Sequence, residues 1–347
     1  MKYRYLGTSD LRVSELCLGS MTWGSQNTSD EGHRQIDTAL DAGVNFMDTA
    51  ELYPTNPVRA ETIGGTETII GSWFAKTGRR KDVILASKIA GHGNPMVRGG
   101  EPITAKSVRE VLDAALKRLQ TDYIDIYQFH WPNRGAYSFR QNWRYDPSKQ
   151  DRAAVAENMA EVMAELAAQR QAGKIRHFGL SNESAWGTMA WNRAAEAVGG
   201  PRVISVQNEY SLLCRLYDTD MAEMAHHEKV GLLAFSPIGA GLLSGKYRPD
   251  FSPPGSRRSI TADLGGRITP RVWAAIDAYV ALARSHGLDP AAMALAWVLT
   301  RPFLGAAIFG ATSQEHLQNA LSATELTLAP DVMSAIERIH KEHPMPY

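Results

Sequence analysis

The chain has little of what marks several large classes of protein. It contains two cysteines, Cys17 and Cys214, among 347 residues, too few and too far apart for a disulfide framework or a metal-binding knuckle. Each sits among apolar residues, which predicts buried, inert thiols. There is no excess of charge of either sign, because 37 Lys and Arg balance 37 Asp and Glu. No field therefore favours a polyanion or an acidic membrane, and nucleic acid is not an expected partner. No apolar run approaches the roughly 20 residues that span a bilayer, and Met1–Lys2–Tyr3–Arg4 does not open a signal peptide. A cytoplasmic protein with no membrane partner is the expectation. A barrel metal hydrolase would need His or carboxylate ligands clustered at strand ends. No His-x-His follows a candidate strand, His226–His227 falls in a candidate helix, and no metal is expected. A strand-first GxGxxG is also missing, which removes the usual support for a Rossmann domain.

What is present is alternation. Short apolar runs bounded by Gly, Asn or Asp alternate with longer segments of helical spacing, the pattern of repeated βα units. The candidate strands are Glu15–Leu18, Val44–Asp48, Val83–Ser87, Ile124–Phe129, Ile175–Leu180, Ile204–Gln207, Leu232–Phe235 and Gly305–Phe309. Candidate helices fall at Asp30–Asp41, Gly65–Lys76, Ala105–Leu119, Ala153–Ala172, Trp186–Ala197, Asp218–Glu228, Pro270–Arg284 with Pro290–Leu299, and Ser313–Leu321. The fourth helix carries an apolar stripe of Val155, Met159, Val162, Met163 and Leu166, and an expected exposed face of Glu161, Glu165 and Arg170. The third places Val108, Val111, Leu112, Ala115 and Leu119 on one side, with Thr104 as its cap.

Eight strands, each followed by a helix, close without leaving an edge, which predicts a (β/α)8 TIM barrel. No low-complexity linker divides the chain, so a single domain, 1–347, is expected. Ahead of the first strand, Gly7–Thr8–Ser9–Asp10 between two short apolar stretches predicts an N-terminal β-hairpin that plugs the barrel bottom. Two long irregular stretches, Trp131–Asp151 and Tyr247–Thr269, each follow a strand and its turn, and are expected as loops over the C-terminal face.

The chemistry of such a barrel lies at the C-terminal ends of its strands. Three consecutive strands end in Asp48, Lys88 and His130, at separations of 40 and 42 residues, about one βα unit each. Tyr53 follows on the loop after Asp48. An ammonium beside a phenol favours the phenolate and lowers its pKa toward useful acid–base chemistry. Lys88 is the expected ammonium, Asp48 the carboxylate that keeps it charged and oriented, and His130 a hydrogen-bond donor to a substrate oxygen. Any one of these residues alone reads as a structural ion pair, a packing tyrosine or a backbone-bonded histidine. Their conjunction at matched strand ends is what points to catalysis.

Asn45–Phe46–Met47–Asp48–Thr49–Ala50–Glu51–Leu52–Tyr53, Ala86–Ser87–Lys88, Gln128–Phe129–His130–Trp131, the run Gly173 to Asn182 and Phe235–Ser236–Pro237–Ile238 resemble, in order, signatures of the aldo-keto reductases. The insertion Pro54–Ile63 before Gly64–Gly65–Thr66–Glu67 is similar to the bacterial Tas-type branch. The resemblance implies a TIM barrel that reduces aldehydes or ketones with NADPH through an Asp/Tyr/Lys/His tetrad, here Asp48, Tyr53, Lys88 and His130. It further implies that Ser181, Asn182 and Gln207 hold the nicotinamide carboxamide and that Phe235 stacks on the ring.

A planar amide also suits the donors and acceptors of such a Ser-Asn-Gln set on its own chemistry. The glycine-rich stretch Ser236–Lys246, with Ser236, Ile238, Gly239, Gly241, Ser244 and Lys246, suits a pyrophosphate. Gly19, Ser20 and Met21 complete the cofactor candidates at the first strand's end. The start of the last helix, with Gly310, Thr312, His316 and Asn319, is the candidate site for a 2′-phosphate. It carries no Lys or Arg, so NAD(H) remains open beside NADP(H). Trp23, Trp131 and the loop Tyr137–Phe139–Trp143–Tyr145 predict an apolar mouth for hydrophobic or aromatic small-molecule carbonyl compounds. An alternative is an NADP(H)-binding regulatory scaffold similar to potassium-channel β-subunits. The sequence leaves an oligomeric partner unspecified.

Overall fold

A computed structural model describes the whole chain, residues 1–347. An antiparallel hairpin, β1 (Tyr3–Tyr5) and β2 (Arg12–Ser14), precedes eight parallel strands. These are β3 (Leu16–Gly19), β4 (Phe46–Asp48), β5 (Ile84–Ile89), β6 (Ile124–Phe129), β7 (Ile175–Ser181), β8 (Val203–Glu209), β9 (Gly231–Phe235) and β10 (Leu304–Phe309). They close in chain order, with β10 pairing both β9 and β3. The result is the expected TIM barrel, with every strand within two residues of its predicted bounds. The largest consequence of those shifts is at β5, which continues to Ile89. Lys88 therefore belongs to the strand, in register with Gln128.

Around the barrel lie α1 (Ser29–Asp41), α2 (Gly65–Thr77), α3 (Ala105–Leu119), α4 (Arg152–Gln171), α5 (Ala185–Val198) and α6 (Asp220–Glu228). Short α7 (Arg257–Ile260), then α8 (Val272–Ser285), α9 (Pro290–Leu299), α10 (Gln314–Ser322) and α11 (Pro330–Glu342) complete the set. Helix α11 was not expected. It opens on Pro330 at its first position, a start signal the sequence carries, and packs against α8. Helix α6 begins later than predicted because Leu216–Asp218 forms a 3-10 turn. In α3 the five expected residues are buried, and Thr104 caps the helix by accepting from Ser107 N.

The exposed face expected of α4 is corrected at Glu165, which is buried beside Gln169. Arg109 from α3 forks onto its carboxylate through Nε and Nη2 at 3.1 and 2.6 Å. Hydrogen bonding by Arg109 holds the Glu165 pKa below the usual carboxylate range, so the two helices meet through a satisfied ion pair.

The barrel's two ends are built differently. At the bottom, Leu6, Leu11 and Val13 from the hairpin fill the interior with Cys17, Phe46, Ala86 and Ile126. Gly231 leaves the room for Leu6, since a Cβ there would stand 2.7 Å from its Cδ1. At the top lie the two long loops, each with a local element: a 3-10 turn at Gln141–Trp143 and helix α7. Cys17 is fully buried. Cys214 is only half-buried, against expectation, because it sits beside the upper cleft, where desolvation pushes its thiol up to about 12.

Candidate active site

Strand β4 is short, but its ladder continues past Asp48: Thr49 N donates to Ala86 O and Glu51 N to Lys88 O, both at 2.9 Å. The chain then turns, with Tyr53 N donating to Ala50 O at 3.1 Å, and this turn brings the phenol back over β5. Lys88 Nζ donates to Asp48 Oδ2 at 2.6 Å, to Thr49 O at 2.8 Å and to Tyr53 OH at 3.4 Å. The Lys88 side chain is fully buried. Its three donors are directed at three acceptors, which a buried ammonium requires. The ring of His130, one residue past β6, stands edge-on to Tyr53 with centroids 5.7 Å apart. The four expected residues are thus brought together.

The electrostatics refine the expectation. Burial lowers the Lys88 pKa, but the Asp48 carboxylate and Tyr53 outweigh it and the net direction is upward, so the ammonium stays charged. For Tyr53 the order reverses. Burial raises the phenol's pKa by more than Lys88 lowers it, and Asp48 raises it further. Without ligand the phenol is therefore a weaker acid than a free tyrosine, contrary to the expected net lowering. Lys88 still acts in the expected direction. Burial, and then the Lys88 charge, hold the His130 pKa well below the ordinary histidine range. The imidazole is neutral, with Nδ1 buried and unpartnered.

The amide-binding candidates meet beside this centre. Ser181 Oγ donates to Gln207 O at 2.8 Å, and Asn182 Nδ2 to His130 O at 2.9 Å. Gln207 Nε2 donates to Asp48 Oδ1 at 2.8 Å. These bonds fix the amide planes and leave Asn182 Oδ1 and Gln207 Oε1 without a protein donor. Asn182 and Ser236 both take positive φ, 54° and 52°, and Phe235 and Ile238 are half-buried. From Gly239 to Ser244 the chain forms a 3-10 segment in which Gly239, Ala240 and Gly241 have φ of 59°, 56° and 93°. Ser244 Oγ donates back to Gly241 O at 2.7 Å.

At the end of β3, Gly19 allows close packing on β10, where a Cβ would meet Ile308 Cγ2 at 3.0 Å, and Gly310 lies against the Gly19 carbonyl. The Ser20 hydroxyl is committed to Asp48 O at 2.7 Å, and Met21 O accepts from Thr55 N at 2.9 Å. Thr312 Oγ1, just ahead of α10, and His316 Nδ1 in its first turn are 3.2 Å apart. Burial first and Lys246 second lower the His316 pKa, which makes these two basic groups neighbours. Asn319 Nδ2 donates to Asp289 Oδ1 at 3.2 Å.

Three features escaped the sequence reading. Gln128 donates to Asp48 Oδ1 at 3.3 Å and supports the carboxylate from a third strand. Arg257, on α7, bears on Tyr53 electrostatically, and its Nε is buried with no partner. Glu209, two residues past Gln207, accepts from Arg267 Nε and Arg140 Nη1, each at 2.8 Å. Trp23 is not part of the mouth. Gly32 lets α1 approach its indole, which is fully buried and donates to Gln35 at 2.9 Å. Trp143 is also drawn aside, under Arg271, while Trp131 and Phe139 pack edge-on at 6.4 Å.

A buried Lys–Asp pair touching a phenol, a neutral imidazole and a turn of positive-φ residues facing basic groups fit a nicotinamide dinucleotide and a carbonyl group. Sequence comparison agrees on the class: the chain belongs to the aldo/keto reductase family, whose model matches residues 15–341, and is an oxidoreductase. Members of the family use nicotinamide cofactors and act on small-molecule carbonyl compounds. Among individual proteins, the chain is similar to Protein tas of Escherichia coli strain K12, with 40% identity over 350 residues, covering 100% of this chain and 99% of that protein. It is 32% identical to the uncharacterized oxidoreductase YrpG of Bacillus subtilis strain 168, covering 98% and 96%. A putative voltage-gated potassium channel subunit beta of Schizosaccharomyces pombe is 29% identical, covering 97% and 92%. No helix is long and apolar enough to cross a membrane.

Proposed function

We propose that the protein reduces aldehydes or ketones to alcohols with NADPH, using Tyr53 as the proton donor. The observation that carries this reading is the single ammonium of Lys88 held between Asp48 and Tyr53, with the His130 ring alongside. When bound, the nicotinamide supplies the hydride. The chain's own residues do the rest. Tyr53, protonated at neutral pH, gives its proton to the carbonyl oxygen, and the phenolate left behind is stabilised by Lys88. Neutral His130 donates from Nε2 to that same oxygen and orients it. Ser181, Asn182, Gln207 and Phe235 hold the nicotinamide end. The 239–244 segment, Lys246 and Arg257 take the pyrophosphate, and Thr312 with His316 the 2′-phosphate.

The relative named as a channel subunit favours a second, regulatory reading, but a complete set of four residues is needed for turnover and not for nucleotide binding alone. Tyr53→Phe separates the two. It should abolish reduction of a panel of aldehydes, followed through NADPH absorbance, while NADPH binding by fluorescence titration stays near the parent value. Full turnover by that variant would refute the assignment of Tyr53.

A further inference from the structure

The cleft between residues 131–151 and Tyr347 holds more donors than the protein satisfies. Arg140, Asn142, Asn182, Glu209 and Tyr347 line it, with Phe139 at one side. Glu209 at its base is fully engaged: Oε1 accepts from Arg267 Nε at 2.8 Å and from Tyr347 OH at 3.0 Å, and Oε2 from Arg140 Nη1 at 2.8 Å. Two guanidinium groups thus share the one side-chain carboxylate of the cleft lining. Arg257 is close enough to feel the same carboxylate. Glu183, which bears on Tyr137 electrostatically, is taken by Arg134, and Asp220, which bears on the same tyrosine, is exposed.

Arg140 Nε and Asn142 Nδ2, two residues apart on one loop, are buried without a partner, as is Tyr217 OH on the same lining. A buried donor left unpaired is costly, so three of them around one cleft call for an acceptor. The loop is also held in an unfavourable shape. Phe139 and Arg140 take φ of 57° and 64° in succession, a left-handed conformation that bulky residues seldom adopt and that clusters at ligand sites.

The cleft borders the reaction centre. Asn182 lines it and donates to the His130 carbonyl. Phe139 packs on Trp131, and Trp131 on His130 with centroids 4.9 Å apart. We propose that this cleft receives a carboxylate at the end of the substrate remote from the reacting carbonyl, with Arg140 as its anchor and Asn142 as a second donor. Trp131 and Phe139 then flank the part of the molecule between the two groups. This rests on the carbonyl-reductase reading and narrows its substrates to anionic ones. On that reading Lys246, His316 and Arg257 serve the cofactor and leave Arg140 to the substrate.

The test compares 4-carboxybenzaldehyde with its methyl ester as substrates for the parent, Arg140→Gln, Arg140→Lys and Asn142→Asp. Calorimetric titration with benzoate and benzamide gives an activity-free readout. The parent should favour the acid. Arg140→Gln should lower the acid-to-ester ratio of kcat/KM about 10- to 100-fold, mainly through KM for the acid, as loss of one charge-assisted contact implies. It should also abolish benzoate binding. Arg140→Lys should restore part of both, and Asn142→Asp, which leaves the partners of Glu209 in place, should lower the ratio in the same direction. An unchanged ratio in Arg140→Gln and Asn142→Asp, with both aldehydes reduced, would overturn the site and leave the reductase reading standing. Weaker NADPH binding in Arg140→Gln with an unchanged ratio would assign Arg140 to the cofactor and overturn it too. No turnover of either aldehyde, with benzoate binding still dependent on Arg140, would support the anion site and refute the reductase reading.

Discussion

Lys88 sits between two demands. It remains charged although fully buried, which Asp48, Thr49 and Tyr53 make possible, and on the proposed mechanism it stabilises a phenolate that burial opposes. On the proposed mechanism reduction needs Tyr53 protonated, so activity should fall as pH rises through the phenol's pKa. Lys88 favours the phenolate and lowers that pKa. Lys88→Met should therefore cost about 10² to 10⁴ in kcat and move the falling limb of the remaining activity to higher pH. Asp48→Asn should move it less, because it loosens Lys88 while removing a carboxylate that itself raises the phenol's pKa. Folded variants with the parent's rate and pH profile would show that the pair is structural.

His316 gives a second prediction at this scale. Burial and Lys246 hold its pKa below the ordinary value, so it is neutral near pH 7 and charges only as pH falls. If the 2′-phosphate sits here as proposed, affinity for NADPH relative to NADH should grow toward acid pH, and His316→Arg should raise it at pH 8. Dissociation constants for both cofactors from pH 6 to pH 8 check this, and equal affinities throughout would remove His316 from the site.

At the scale of elements, helix α2 packs on α3 through Gly71, where an added Cβ would collide with the backbone of Arg118 and Leu119. Neither backbone can retreat without moving the end of α3. Gly78, the cap of α2, has φ of 68° and open space around it. Gly71→Ala should cost more than about 2 kcal/mol by overpacking, and Gly78→Ala about 1 kcal/mol through backbone strain alone. Urea denaturation of both variants tests the order, which sequence alone would reverse, since Gly71 lies mid-helix and alanine is the better helix former.

That reversal shows where the sequence was legible. Strands β3 to β10 and the positions of Asp48, Tyr53, Lys88 and His130 followed from apolar runs, their terminators and the family pattern. Gln128, Arg140 and Arg257 did not. Gln128 reads as strand interior, and only closure of the barrel aims it at Asp48. Arg140 and Arg257 lie on loops whose path is set by tertiary contacts such as Glu209, not by periodicity. Glu165 and Trp23 failed for the opposite reason: each matched a local pattern that a neighbour, Arg109 or Gly32, overrode.

Across the whole molecule, the two ends of the barrel divide stability from chemistry. The catalytic candidates are all at the C-terminal end, while the bottom is sealed by the hairpin, with Leu6 fully buried between Gly231 and Gly305. Those glycines have no side chains to fill the space if Leu6 is shortened, and the hairpin is too short to re-form the plug. Leu6→Ala should therefore leave a cavity and cost about 2–5 kcal/mol. No bonded path as direct as the Asp48–Gln128–Gln207 bridge links that cavity to the reaction centre, so kcat and KM of the folded variant should stay at the parent values. The check is a lowered urea midpoint with unchanged slope, alongside steady-state kinetics well below the unfolding temperature. A variant that loses activity before it loses stability would show that the hairpin shapes the upper rim through the strands, and that the two ends are coupled.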